Sequence, residues 1–342
     1  MNKILGGVIL TAMGMVFASS ASAETLRFAT TLPESDNPET HAMQAFKQYV
    51  DFHSNGEVEV QLLHGGVGGD REILESVRNN IFQMTATTDG ALAPFYPKVQ
   101  AFSIPYLFPS TRVALTFMNE TAVMKDFVRD VEDTAGLRIV GFAADGFRNF
   151  VNNVRPLKMP ADVEGLKLRS MESPVMMALM KSLDAAPTPI PFPESAMAIR
   201  QGVVDGGENP PSTIINGGWA DVIEYMSMDE HIFSAVFVYA NPDFLDGLSD
   251  QARAAVIDGV QLYEAIMLAE KGVGYLEDTQ KIRDMGVDVH INSPEEKAQF
   301  REVTQQPVLD FLSENLGADY VDSFVASVRD IEEEIYTRGE SR

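Results

Sequence analysis

The sequence predicts an α/β protein built as two lobes, each a mostly parallel sheet flanked by helices. Along most of the chain, runs with apolar residues at every second position alternate with runs that repeat every third or fourth. A proline-free helical pattern continues from Ser249 to about Met285. As one helix it measures roughly 50 Å at ~1.5 Å per residue, longer than one lobe, so it must run along both. The third observation is an internal echo. Displaced by 122 positions, "EILESVRNNIFQMTAT" falls on "ESAMAIRQGVVDGGEN", which sets Glu72 on Glu194, Arg78 on Arg200, Ile81 on Val203 and Thr87 on Asn209. Each copy reads as a helix, a tight turn, a short apolar strand and a polar strand end.

In chain order, the basic start Met1-Asn2-Lys3, the apolar run Ile4–Val16 and the exit Ala21-Ser22-Ala23 form the pattern of an export signal cleaved after Ala23. The apolar run is too short to span a bilayer. "LRFATTLP" is the first strand, Thr40–Phe52 an amphipathic helix, and "EVEVQLL" (57–63) a strand with clean alternation. "GGVGGDREILESVRNN" is a glycine loop entering a helix, with Ile73, Leu74 and Val77 on one face. Asp70 and Glu72 place favourable charge at the N-terminus of that helix. "LRIVGFAA" (137–144) is a strand. In "VEGLKLRS" (163–170), Leu166 and Leu168 alternate with Lys167 and Arg169 behind the turn Glu164-Gly165. A helix over Pro174–Leu183 follows, then the helix and strand of "FPESAMAIRQGVVDGG". Ser249 caps the long helix, with Gly272 and Gly274 as points where it can bend. "PEEKAQFREVTQQPVLDFL" and "ADYVDSFVASVRDIEEEIYTR" supply terminal helices.

Composition excludes several functions. Fifty acidic residues against 26 basic ones give a net charge of −24 at pH 7, one unit more negative once Lys3 leaves with the signal. Such a surface opposes nucleic acid and anionic membrane as partners. No cysteine is present, hence no disulfide, thiolate nucleophile or Cys-ligated metal. His41, His53, His64, His231 and His290 show no helical ligand spacing, so no metal is expected. "GGVGGD" lacks the Lys-Ser/Thr of a phosphate loop and reads as a flexible turn. No catalytic set assembles, and no cofactor is expected.

A recognition set does assemble. Arg148 in "DGFRNF" follows the strand 137–144, Arg169 ends the strand of "GLKLR", and Asn209 lies just past "VVDGG". Polar groups at strand carboxyl ends converge on a cleft in open α/β sheets. A guanidinium fork can grip a carboxylate with two parallel hydrogen bonds, and an amide can brace it. Separate ion-pair roles in so acidic a protein are an equal alternative on spacing alone. Glu208 is read as facing away or neutralising an arginine, and Arg155 as surface. Trp219 is read as core or loop packing, and Met171, Met176, Met177 and Met180 as mostly core.

The run "GFRNFVNNVRPLKMPADVEGLKLRS…AAPTPIPFPESAMAIRQGVVDGGENPPSTI" resembles the DctP-type solute-binding proteins of tripartite ATP-independent periplasmic (TRAP) transporters. So do "GGDREILESVRNNIF", "FYPKVQAFSIPYLF" and "EYMSMDEHIFSA". The resemblance implies a periplasmic-binding-protein-like fold with two lobes closing over one small molecule. It places the signal at residues 1–23, one lobe at 24–147 plus about 235–270, and the other at 148–234 plus about 271–342. It also implies a periplasmic location, a monomer, and delivery of a small organic acid to sodium-coupled TRAP membrane subunits. Arg169 matches the arginine that clamps the ligand carboxylate, Asn209 the assisting amide, Phe192 a residue packed beside the ligand and Arg148 a second cationic contact. On the first lobe, Thr31, Thr88 and Asp89 match positions that set ligand identity, and they depart from the asparagine and glutamate of sialic-acid-binding members. The polar trio points to hydroxyls or an amine opposite the carboxylate, a sugar acid or hydroxy acid being favoured. A secreted enzyme acting on a small organic acid, or a sensing receptor, is the alternative.

Overall fold

The computed structural model of the protein describes residues 23–340; the expected export signal lies outside them. The first half comprises β1 (Glu24–Thr30), α1 (Pro38–His53), β2 (Val58–His64), α2 (Asp70–Arg78) and β3 (Met84–Thr88). Next come α3 (Asp89–Leu92), α4 (Thr111–Glu120) and α5 (Ala122–Ala135). β4 (Arg138–Asn152) crosses into the second half. There β5 (Lys167–Ser170), α6 (Pro174–Ser182), β6 (Ala186–Pro189), α7 (Phe192–Arg200) and β7 (Gly206–Asn209) repeat the β-α-β-α-β order. After α8 (Pro211–Asn216), β8 (Tyr225–Ala240) returns to the first half. The chain ends through α9 (Pro242–Gly247), α10 (Asp250–Asp284), β9 (Asp288–Ile291), α11 (Pro294–Leu316) and α12 (Ala318–Glu340).

Both halves are parallel: β1 pairs with β2 and β3, and β5 pairs with β6 and β7. They are not separate sheets. β4 and β8 run antiparallel to each other, and they pair antiparallel with β7 and β3 respectively. The nine described strands therefore form one sheet in the order β2-β1-β3-β8-β4-β7-β5-β6, with β9 beside β8. At 15 and 16 residues, β4 and β8 extend about 50 Å at ~3.3 Å per residue, long enough to serve both halves.

The internal echo is structural. Displaced by 122, α2 (Asp70–Arg78) becomes α7 (Phe192–Arg200), and Met84 at the start of β3 becomes Gly206 at the start of β7. The turn residues correspond as well: Asn80 (φ 55°) and Gly202 (φ 69°) both sit in the left-handed region that asparagine and glycine tolerate best.

Helices cover both faces of each half. Phe28, Phe46, Val238, Val256 and Tyr263 form one first-half core, and Phe102, Phe117, Phe127, Phe237 and Phe324 the other. In the second half, Ile199, Ile214, Trp219 and Ile282 pack on one side, and Phe150, Leu168, Met180 and Phe300 on the other. Ser249 caps α10, its Oγ accepting from the Ala252 N–H at 3.2 Å. This helix buries Val256, Val260 and Tyr263 in the first half and Ile282 in the second. It thus runs along both, uninterrupted at Gly272 and Gly274. Residues 271–342 were expected in the second lobe, but α12 packs on the first. Phe324 meets Phe102 and Phe117 at ring separations of 5.0 and 4.9 Å, because the aromatic cluster there offers its apolar face a partner.

Candidate ligand-binding site

The recognition residues converge because β7 lies between β4 and β5. Register places Asn149 opposite Asn209 and Phe150 opposite Glu208. Gly206 makes this pairing possible: a Cβ there would stand 1.9 Å from the Val151 carbonyl oxygen. The strand ends open on a cavity with about 510 Å³ of free space, part of it open to solvent. From the second half it is lined by Arg169, Met171, Phe192, Asn209 and Thr213. Thr30, Thr31, Glu39, Asp70 and Thr88 line it from the first, with Asp145 and Arg148 of β4 at the base.

Arg148 is held by its neighbours. Its Nη2 donates to the Glu208 carbonyl and Oε1 (2.9 Å each) and to Asn209 Oδ1 (2.8 Å), its Nη1 to Ser234 Oγ (3.3 Å) and its Nε to Glu208 Oε2. Of five N–H donors, one on Nη1 is left for a ligand. Behind Glu208 stands His231, stacked on Phe150 at 4.3 Å, with Nδ1 2.8 Å from Asp229 Oδ2. All four charged groups are buried, at 3% exposure or less. Burial opposes the charge of Glu208, but Arg148 and His231 outweigh it and hold the carboxyl down at about 2. Burial likewise opposes protonation of His231, yet Asp229 and Glu208 raise it to about 9. The chain Asp229⁻–His231⁺–Glu208⁻–Arg148⁺ is neutral as a whole.

Arg169 is different. Its Nε donates to the Ile190 carbonyl at 2.9 Å, and its guanidinium lies 5.7 Å from the Trp219 ring and 6.0 Å from that of Phe192. Among the described residues, neither Nη finds an acceptor. Burial, eased by Glu208, lowers this guanidinium to about 10, still charged at neutral pH. Asn209 Nδ2 is also without a partner at 3% exposure. Because an arginine only donates, the bond from Arg148 fixes the amide with its oxygen inward and its NH₂ toward the cavity. Two free edges, one charged and one neutral, therefore donate into the same space.

The first-half wall carries acceptors. Glu39 is bonded by the Thr30 hydroxyl, and burial pushes its carboxyl up to about 7. Asp70 accepts from Thr87 Oγ1 at 2.7 Å, and burial raises its carboxyl too. Asp145 accepts from Thr213 Oγ1 at 2.9 Å and pairs with Lys271 of α10, whose Nζ also donates to Ser212 Oγ at 2.6 Å.

Of the residues named from sequence, Arg169, Arg148, Asn209, Phe192, Thr31 and Thr88 line the cavity. Asp89 does not: it is turned into the first half, where Oδ2 accepts from Ser103 Oγ at 2.9 Å and burial pushes it up to about 6. Glu208 neutralises Arg148 rather than facing away, and Trp219 packs beneath Arg169. Nothing in the sequence pattern points to Glu39, Asp145 or Thr213, and Asp70 reads there as a helix-end charge, yet all four line the cavity. The echo held the signal for Asp70, since its counterpart 122 positions on is Phe192.

Residues 28–315 match the model of the bacterial extracellular solute-binding proteins, family 7, the DctP family. The chain belongs to this family. Two relatives span nearly its whole length. The ectoine-binding periplasmic protein TeaA of Halomonas elongata is 27% identical, covering 97% of this chain and 98% of its own. The C4-dicarboxylate-binding periplasmic protein DctP of Rhodobacter capsulatus is 29% identical, with 94% and 96% covered. Among solved structures, the sugar acid binding protein DctPAm of Advenella mimigardefordensis with galactonate superposes at a TM-score of 0.86. It is 25% identical and covers 91% of this chain and 99% of that one.

Proposed function

We propose that this DctP-family protein captures a small carboxylate-bearing solute, a sugar acid or hydroxy acid, between its two halves and delivers it to a sodium-coupled TRAP permease in the membrane. The observation that carries the reading is the open guanidinium edge of Arg169 beside the unpartnered Asn209 amide in one buried cavity. A carboxylate offers two oxygens to such a pair, and the fork geometry favours it over a single point acceptor. Arg148, already neutralised, braces Asn209 and offers one further donor.

The galactonate complex of the Advenella protein supports the sugar-acid class. Thr31 and Thr88 suit hydroxyls on the opposite wall. Contacts from both walls to one solute exist only when the halves meet, so the solute selects the closed state. A permease reading that closed shape receives only loaded protein. A family of binding proteins implies return of the solute unchanged rather than turnover, and a monomer in the periplasm is the form expected to act.

Thermal unfolding against a panel of organic acids tests this directly. A ligand present at a thousand times its dissociation constant stabilises by about 4 kcal/mol, raising the melting point by several degrees in a chain of this size. The expected result is a rise with sugar acids or hydroxy acids and none with their uncharged alcohols. A rise with the alcohols alone would overturn the carboxylate reading.

A further inference from the structure

The wall opposite Arg169 has a charge pattern that carboxylate capture alone does not require. Glu39 stands in the first turn of α1 with the Thr30 hydroxyl as its donor, and no cation lies within ion-pair distance among the described residues. Lys271, which acts on it through space, is bound to Asp145 and Ser212. Asp70 is bonded by Thr87 and likewise lacks an ion pair among the described residues, although Arg169 and Arg148 act on it through space. Since Arg148 is neutralised by Glu208, the cavity contains one open cation, Arg169, and two carboxyls without ion pairs. These acids do not stand alone as evidence: the buried, unpartnered Nδ2 of Asn209 and the free edge of Arg169 line the same cavity and set the solute's orientation.

We propose that Glu39, backed by Asp70, rejects a second carboxylate, so that the solute is a monocarboxylate whose far end presents O–H or N–H donors. The inference rests on the carboxylate reading above. With one carboxylate held at Arg169 and Asn209, a second would meet Glu39 in a closing cleft with no cation free to neutralise either. Like charges so juxtaposed are a strong means of excluding a wrong partner. A hydroxyl or an amine in the same place donates to Glu39 instead. The proposal gives this chain a different solute class from the one its Rhodobacter capsulatus relative is named for, C4-dicarboxylates.

Calorimetry at pH 8 tests the proposal, because Glu39, pushed up to about 7 by burial, is ionised there. The groups facing it are Thr30 of β1, Asp70 of α2, Asp145 of β4 and Lys271 of α10. Galactonate and D-glucuronate serve as monocarboxylates, succinate and malate as dicarboxylates, each with wild type, Glu39→Gln and Asp70→Asn. In wild type, a monocarboxylate should bind at least about tenfold tighter than either dicarboxylate. Glu39→Gln should narrow that ratio by about tenfold or more, and Asp70→Asn by less. Wild type binding a dicarboxylate as tightly as a monocarboxylate would overturn the proposal and leave the carboxylate reading intact. So would an unchanged ratio in a Glu39→Gln protein that still melts cooperatively. If that variant does not fold, the wild-type ratio and Asp70→Asn decide. Failure of wild type to bind any of the four would remove the carboxylate reading and the proposal with it.

Discussion

Arg148 and Arg169 flank the same strand, yet their surroundings give them different tasks. Arg148 sits at the end of a charged chain through Glu208 and His231 to Asp229, whereas Arg169 is stabilised by two aromatic rings and a single carbonyl. Replacing Glu208 by glutamine leaves Arg148 buried without the carboxylate that neutralises it and loosens the guanidinium that orders Asn209. Such a change should destabilise the fold by roughly 3–5 kcal/mol and weaken ligand binding as well; denaturant titration and calorimetry on Glu208→Gln check the two parts. His231 adds a pH dependence. Its folded value of about 9 lies above the ordinary 6.5, so the folded state binds its proton more tightly. That contribution is complete below pH 6.5 and is lost as pH rises toward 9. Wild type should therefore lose roughly 2–4 kcal/mol relative to His231→Gln across that window, read as a difference between their denaturation midpoints. Strand-end polarity in the sequence singles out Arg169 and Asn209, and both line the cavity. It did not reveal Glu39 or Asp145, because an acid in a first helical turn or beside a strand glycine has an ordinary local explanation.

Between elements, the decisive contact is β7 against β4. Gly206→Ala sets a methyl group against the Val151 carbonyl, and no side-chain rotation relieves it. The variant should unfold at clearly lower temperature, with the ligand-dependent rise in melting point reduced because Asn209 shifts with its strand; thermal scans with and without solute show both. Ser249→Ala removes the cap of α10 and should cost about 1 kcal/mol in a denaturant titration without altering affinity. The β-α-β-α-β halves and the long helix were legible because period-two and 3.6-residue patterns are local. Three other features were not. The expected strand 137–144 is the first part of β4, which continues through the Asp145-Gly146 irregularity to Asn152; a polar residue and a glycine read as a strand end when the register shift cannot be seen. The merging of two parallel sheets through β4 and β8 depends on pairing across distant sequence. An amphipathic pattern likewise fixes which face of α12 is buried, but not that the face meets Phe102 and Phe117.

As a whole, the molecule is two similar halves joined by two long strands and braced by α10. Asp145, at a register shift of β4, ties that brace to the cavity floor through Lys271 and to α8 through Thr213. In the proposed closure, solute that tightens the cleft also loads this junction. Lys271→Met removes this tie and leaves Asp145 without its cation. Ligand-induced compaction in small-angle scattering should be smaller in this variant than in wild type; equal compaction would show that the junction does not govern closure. Calorimetry on Arg169→Ala with the best-binding acid shows whether Arg169 holds the solute's carboxylate. Removing one partner of a buried charged pair should weaken binding by roughly 2–4 kcal/mol, on the order of 30- to 1000-fold. A loss below about threefold, in a variant that melts like wild type, would contradict the account and leave Arg169 a structural residue.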